Sequence, residues 1–215
     1  MSKGPRKPRP KPSDTYHHGD LRQALVEAAL HAIERQGMAE VSLRAVARSL
    51  GVSPRAPYRH FATKEQLLAA VAVEGFRMSA KFTASRLEAA VDPMARLRAA
   101  VEAYVLFAAK HPPAFRVMYA PYAAVEESVS DLVRARAEGH AAMMQLISAA
   151  QATGQVRTGD PLQIGLAIWS TMHGLAVLIV EGQLGRFDRP ADATKLAKLV
   201  ADLLFEGLLV RSVLC

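Results

Sequence analysis

Residues 41–61, "VSLRAVARSLGVSPRAPYRHF", decide the fold. Ser42 stands where it can cap a short helix, and Leu43, Val46, Ala47 and Leu50 follow at spacings of three and four, one apolar face. Gly51 falls where the chain must turn sharply, and Ser53 can cap a second short helix. Two short helices joined by a tight turn containing glycine form a helix-turn-helix. The second helix carries two prolines. Pro54 suits a first helical position. Pro57 lacks the N–H that a helix needs there, and its ring crowds the carbonyl four residues back. A recognition helix tolerates this because its N-terminal end is open, and the Pro57 ring can serve as the inward apolar group. A strained or partly 3₁₀ first turn is expected over residues 55–57.

Working outward, a first helix is expected from Asp20 to Gln36, with Leu21, Leu25, Ala28, Ala29, Ala32 and Ile33 on one face. Asp20 and Gln23 have capping-box spacing, and Gly37 takes the role after the last turn. On the other side, "FATKEQLLAAV" (61–71) opens a helix capped by Thr63 with Gln66 at the box position. Lys64 lies in its first turn, where a cation opposes the helix dipole and a phosphate would compensate.

Beyond residue 70 the chain turns apolar. Helices are expected at 63–90, 93–110, 112–120, 122–152, 161–182 and 190–213, separated by breaks rich in Pro and Gly such as "KHPPA" and "TGQVRTGDP". The run "IGLAIWSTMHGLAVLIV" (164–180) could be misread as a membrane span. It is short of the ~20 apolar residues a span needs, and it carries Ser170, Thr171, His173 and two glycines. A buried helix of a soluble protein is the better expectation, with no membrane partner. Gly165 and Gly174 on it allow close helix approach, and "LLFEGLLV" (203–210) would complete a dimer interface. The expected architecture is all-α: a basic arm at 1–15, a helix-turn-helix domain at 16–68 and a larger helical domain at 69–215.

Of the 215 residues 51% are apolar, enough for a proper core, and the formal charge is +7. Residues 1–68 hold twelve Lys/Arg against six Asp/Glu, so a net +6 belongs to the first third. Such asymmetry points to a polyanion partner for that part. The leading "MSKGPRKPRPKPS" has five basic residues, four prolines and no acid; it reads as a disordered arm, either a solubilising tail or a segment for a DNA groove. Cys215 is the single cysteine, which excludes an intrachain disulfide and a four-cysteine metal site and fits a reducing cytoplasm. The N-terminus lacks a signal-peptide layout. Adjacent His17 and His18 do not share a helix face, so no metal site is expected. Neither nucleophile elbow, phosphate loop nor zinc spacing is found, so neither enzyme activity nor a cofactor is expected.

Residues 18–68 resemble the DNA-binding domain of the tetracycline-repressor (TetR) family. The likeness is carried by "LRQALVEAALHAIERQG", "SLRAVARSLGVSPRAPYRHF" and "TKEQLL", above all by the aromatic–x–His–Phe ending. "WSTMHGL" (169–175) and "APYRHF" also resemble the subgroup with a Trp…His-Gly C-terminal element. The resemblance implies an all-helical homodimer whose two heads read a near-palindromic operator. It also implies a C-terminal domain that dimerises through its last two long helices and encloses a small-molecule effector. Ser42 and Ser53 would touch phosphate while capping. Arg44 would reach a base edge or phosphate. Arg55 would read guanine, and Ala56 would meet a thymine methyl. Tyr58, Arg59 and His60 would contact phosphates or flanking bases, and Lys64 a phosphate. Tyr104, Phe107, Phe115, Met118, Tyr119, Met143, Trp169 and His173 are the candidate pocket lining for a small apolar effector, with core packing the plainer reading of each. His173 lies four after Trp169, so the two can stack. The rival to a ligand-released repressor is a constitutive architectural DNA-binding protein whose C-terminal domain only dimerises.

Overall fold

The structure, a computed structural model, describes residues 18–120, 130–187 and 192–208. The expected basic arm, His17, the start of the helix expected at 122–152, both ends of that expected at 190–213, and Cys215 lie outside the described residues. Among the described residues there are eight α-helices: α1 (His18–Gln36), α2 (Leu43–Ser49), α3 (Lys64–Leu87), α4 (Pro93–Lys110), α5 (Pro112–Met118), α6 (Ser130–Ala152), α7 (Pro161–Val180) and α8 (Ala193–Leu208). Two 3₁₀ segments, Ala56–Arg59 and Gln183–Phe187, complete the list, and the fold is all-α as expected.

Local signals account for most helix ends. Helix α2 starts at Ser42, whose Oγ accepts the Ala45 N–H at 3.2 Å. Helix α3 starts at Thr63, which accepts the Gln66 N–H at 3.3 Å, while Gln66 Oε1 accepts the Ala62 N–H at 2.7 Å. Asp92 and Asp160 cap α4 and α7, each followed by a proline at the first helical position. Helix α1 departs from expectation. It begins at His18, so Asp20 lies inside its first turn, not at the cap, and Gln23 Nε2 donates forward to Glu27 at 3.0 Å.

The second correction is larger. No α-helix follows Ser53; the chain makes one 3₁₀ turn, Ala56–Arg59. Pro57 is the cause. An α-helix capped by Ser53 would take its first intrahelical bond from the N–H of residue 57, which proline lacks, and the Pro57 ring would press on the Ser53 carbonyl. That carbonyl accepts the Ala56 N–H at 3.0 Å instead, and Arg55 C=O accepts the Tyr58 N–H at 3.2 Å, both in the shorter 3₁₀ pattern. Pro57 is buried and does fill the inward position.

Helix α4 packs against α3, α5, α6, α7 and α8. Two apolar cores meet along it. One joins Leu25, Val46, Phe61, Leu67 and Val71 to Phe107, Met118 and Leu132. The other joins Leu97, Val101 and Val105 to Ile147, Ile168, Met172, Ala201 and Phe205. The boundary expected after residue 68 falls inside α3, whose apolar side runs through the first core without a break. Arg98 ties α4 to α8 through Asp202, with its guanidinium 5.1 Å over the Phe205 ring.

Helix α7 is not the buried helix expected. It is long and apolar enough to cross a membrane by length and composition, and only 33% of its most apolar window is buried. Ile164, Ile168, Met172, Leu175 and Ala176 face the core. Leu162 (68% exposed), Leu166 (60%) and Trp169 (39%) form an outer stripe, matched on α8 by Leu199 and Leu203. Ser170 and Thr171 hydroxyls donate back to the carbonyls of Leu166 and Ala167, so they add little polarity. Gly165 permits close approach within the chain, against Met144 of α6, whereas Gly174 faces open space.

Two helical glycines give a test of packing. A Cβ at Gly75 would stand 2.7 Å from Met118 Cγ, in the middle of a buried side chain, while one at Gly139 would meet nothing. Gly75→Ala should destabilise, the overpacking cost of about 1–3 kcal/mol outweighing the helix-propensity gain. Gly139→Ala should stabilise by about 0.5–1 kcal/mol. Urea titrations of both variants check the opposite signs.

Candidate DNA interface and effector cavity

The DNA-reading candidates gather at the N-terminus of α2 and on the 3₁₀ turn. Ser42, Arg44, Ser53, Arg55, Tyr58 and Arg59 are exposed. Ala56, His60 and Lys64 are half-buried. His60 borders a cavity of about 200 Å³ beneath the head, shared with Arg22, Phe61, Gln66 and Arg77. The turn is held from below by buried Pro57 and Phe61, and Arg22 lies 5.3 Å over the Phe61 ring. Short backbone bonds and an apolar floor thus present Arg55, Tyr58 and Arg59 outward with little freedom in the chain that carries them. Lys64 has a role that sequence reasoning missed. Its Nζ donates to the Ala39 carbonyl at 2.6 Å, fastening the start of α3 to the loop that leads into α2. A contact across 25 positions leaves no local sequence signal.

Of the candidate pocket residues the structure brings five together. Tyr104 (α4), Phe115 (α5), Tyr119, Trp169 and His173 (α7) form one aromatic cluster. The Tyr104 hydroxyl and His173 Nδ1 are 2.7 Å apart. Trp169 stacks on His173 with centroids 4.9 Å apart and planes 25° from parallel, as the spacing of four suggested. Tyr119 meets His173 edge-on at 4.7 Å. The other three lie elsewhere. Phe107 packs on Phe82 and His111, Met118 fills the space left by Gly75, and Met143 sits on the second core. Periodicity on one helix cannot tell which of several apolar positions faces a cavity between three helices.

Beside the cluster lies a cavity of about 230 Å³ lined by Phe115, Tyr119, His173, Val177 and Val180, with Arg116 and Glu181 at its edge. Arg116 Nε donates to Glu181 at 2.9 Å and its Nη2 to the Val180 carbonyl at 2.6 Å, joining α5 to the end of α7. This ion pair was not visible in the sequence, since its partners stand 65 positions apart. Burial, reinforced by the neighbouring Tyr119, pushes the Tyr104 hydroxyl far above its usual range, and burial also raises Tyr119. Burial holds His173 below the usual histidine value. All three are therefore neutral near pH 7. Among the described residues no group of His, Cys, Asp or Glu could hold a metal ion.

Comparison with known proteins agrees with this geometry at both ends. Residues 25–71 match the profile described as bacterial regulatory proteins, tetR family, and residues 97–204 match the tetracyclin repressor-like C-terminal domain. The chain belongs to the TetR family. It is thus a member of a family of DNA-binding helix-turn-helix transcriptional regulators. A structure from Rhodococcus sp. RHA1, of a protein with unknown function, is 32% identical, covers 92% of this chain and 100% of its own, and superposes with a TM-score of 0.78. The fatty acid degradation regulator FadR from Bacillus halodurans shares the fold at 18% identity (TM-score 0.64, 86% of this chain and 94% of that one). HTH-type transcriptional regulator BetI of Rhizobium meliloti (strain 1021) is 36% identical over 80 residues, 37% of this TetR-family chain. That match spans 39% of BetI's length.

Two substitutions in the head test the base reading expected of Arg55 and the phosphate contact expected of Lys64. Arg55→Ala should erase about 1–3 kcal/mol of discrimination at one base pair. Lys64→Ala should weaken binding to all sequences alike and lower the slope of log affinity against log salt by about one. Affinities on matched and single-mismatch duplexes across a salt series check both. In the cavity, His173 sets a pH dependence. Its depressed value means that its stability contribution is full above the unfolded pKa of about 6.5 and is lost as pH falls toward the folded value. The wild type should therefore lose more stability than His173→Gln between about pH 7.5 and 5, read by thermal melts; His111, shifted the same way, is common to both.

Proposed function

We propose that this regulator is a cytoplasmic repressor that binds a near-palindromic operator as a homodimer and is released by a small apolar effector. The observation that carries this reading is the outer face of α7 and α8. Leu162, Leu166 and Trp169 on α7 and Leu199 and Leu203 on α8 are large apolar side chains left exposed, which a second copy of the same helices would cover. A two-fold dimer formed there would carry two heads, the arrangement that two operator halves require.

Each head would place Ser42 and Ser53 near phosphate, Arg44, Arg55 and Ala56 at base edges, and Tyr58, Arg59, His60 and Lys64 along the flanks. The effector would enter the cavity beside His173, with Trp169, His173 and Gly174 as the Trp-His-Gly element suggested. Arg116 and Glu181 link α5 to α7 at that cavity, so a ligand there has a direct mechanical route to α4 and α3. Turning a 1:99 population of DNA-releasing conformers into 99:1 needs differential ligand binding of about 5.5 kcal/mol.

Selection of bound sites from random double-stranded DNA, read by sequencing, tests the reading. An inverted repeat is expected. Salt-sensitive binding with no motif would favour a constitutive architectural protein instead. Leu166→Glu with Leu203→Glu should yield a folded monomer by sedimentation that binds the inverted repeat at least about tenfold more weakly, because burying like charges against an apolar partner face is strongly unfavourable.

A further inference from the structure

The cavity beside His173 limits its ligand in size, shape and charge. Its volume of about 230 Å³ lies below the ~300–1,000 Å³ of sites for drug-sized molecules, which leaves room for about one ring and a few substituent atoms. Three of its walls are flat. Phe115 and His173 have centroids 5.6 Å apart at 35°, Phe115 and Tyr119 5.0 Å at 52°, and Tyr119 stands nearly edge-on to His173. Val177 and Val180 complete the apolar lining. A guest ring there meets both faces and edges, the mixture that aromatic quadrupoles favour.

Charge is already matched. The Arg116 guanidinium at the edge is occupied by the Glu181 carboxylate and the Val180 carbonyl. The other polar groups of the lining are the Tyr119 hydroxyl and the His173 imidazole, both neutral, with the Tyr104 hydroxyl behind them at 2.7 Å from His173 Nδ1. The site is open on one side, so a charged guest would give up only part of its hydration, but it would find no unmatched counter-charge, whereas a hydroxyl or carbonyl would find a donor or acceptor.

We propose that this cavity binds a neutral single-ring aromatic compound carrying a hydroxyl or carbonyl group, and that compounds of this class are the effector. The second clause rests on the effector reading above. The ring lies against the cavity side of Phe115, Tyr119 and His173, and its polar group reaches the Tyr119 hydroxyl or the His173 imidazole.

Trp169 supplies the readout. It is the chain's single tryptophan and stacks on His173, so its emission responds to this site, and sedimentation run in parallel separates that response from a change at its exposed side. Full-length protein is titrated with 4-methylphenol and acetophenone. The controls are 4-methylcyclohexanol (the same substituents on a saturated ring), toluene (no polar group), benzoate and benzylammonium. Saturable emission changes are expected for the two neutral polar aromatics, at dissociation constants at least about tenfold lower than for the controls, in keeping with the gain of aromatic contacts and the cost of burying charge. Val177→Phe, which fills the cavity, should abolish the response while its thermal melt stays cooperative. Tyr119→Phe and His173→Gln should narrow the preference for 4-methylphenol over toluene. Release of the selected operator by the same compounds is measured in parallel.

The outcomes separate the two layers. Tight binding by benzoate, benzylammonium or 4-methylcyclohexanol with DNA release overturns the ligand class and leaves the effector reading standing. Saturable binding of 4-methylphenol or acetophenone without DNA release supports the ligand class and overturns its role as effector. No saturable response to either neutral polar aromatic at millimolar concentration, or an unchanged response in Val177→Phe, overturns the site assignment itself.

Discussion

Helix α4 is the constraint on which the rest of the structure depends. Its Ala100, Ala103 and Ala108 are buried and small, so neighbouring helices come close around it. Leu97, Val101 and Val105 feed one core, Phe107 the other, and Tyr104 points a hydroxyl at His173 across the gap to α7. A displacement of α4 therefore cannot be confined to one region. It would be felt by α3, which carries the head, and by α7 and α8, which carry the outer apolar face.

The head is built by a different means. Its candidate reading element is a single 3₁₀ turn, too short to be stable alone. Tertiary packing holds it: Pro57 and Phe61 are buried beneath, Gly51 at φ +69° turns the chain out of α2, and the Lys64 bond to Ala39 closes the far side. Proline at 57 costs helical bonds and in return restricts the backbone that carries Arg55, Tyr58 and Arg59. A rigid platform for a few side chains loses less entropy on binding than a flexible one.

Helix α7 carries two duties on adjoining faces. Its inner face is ordinary core. Along its outer face Leu162, Leu166, Trp169, His173 and Val177 follow one another at spacings of three and four, running from open surface into the wall of the cavity. Trp169 belongs to both parts, partly exposed on one side and stacked on a cavity residue on the other. Whatever covers the outer stripe and whatever fills the cavity thus press on the same side chains, which gives the two events a physical means of coupling.

By itself the sequence determined the all-helical class, the capped starts of α2 and α3, the glycine turns at 37 and 51, the inward Pro57 and the Trp169–His173 stack. Each depends on residues within a few positions of one another, where periodicity, capping and φ restrictions act directly. Tertiary structure decided what turns on contacts across the chain. It supplied the floor of Pro57 and Phe61 that holds the 3₁₀ turn to which proline limits residues 56–59, since so short a turn is not stable alone. It selected Phe115 and Tyr119 for the cavity, set Tyr104 behind them against His173, and left Phe107, Met118 and Met143 in the cores, since the side of a helix that faces a void is set by its neighbours' placement. It joined Arg116 to Glu181 and Lys64 to Ala39. It also turned Leu162, Leu166 and Trp169 of α7 outward, because periodicity shows that a helix has apolar faces but not whether its own chain or another molecule covers them.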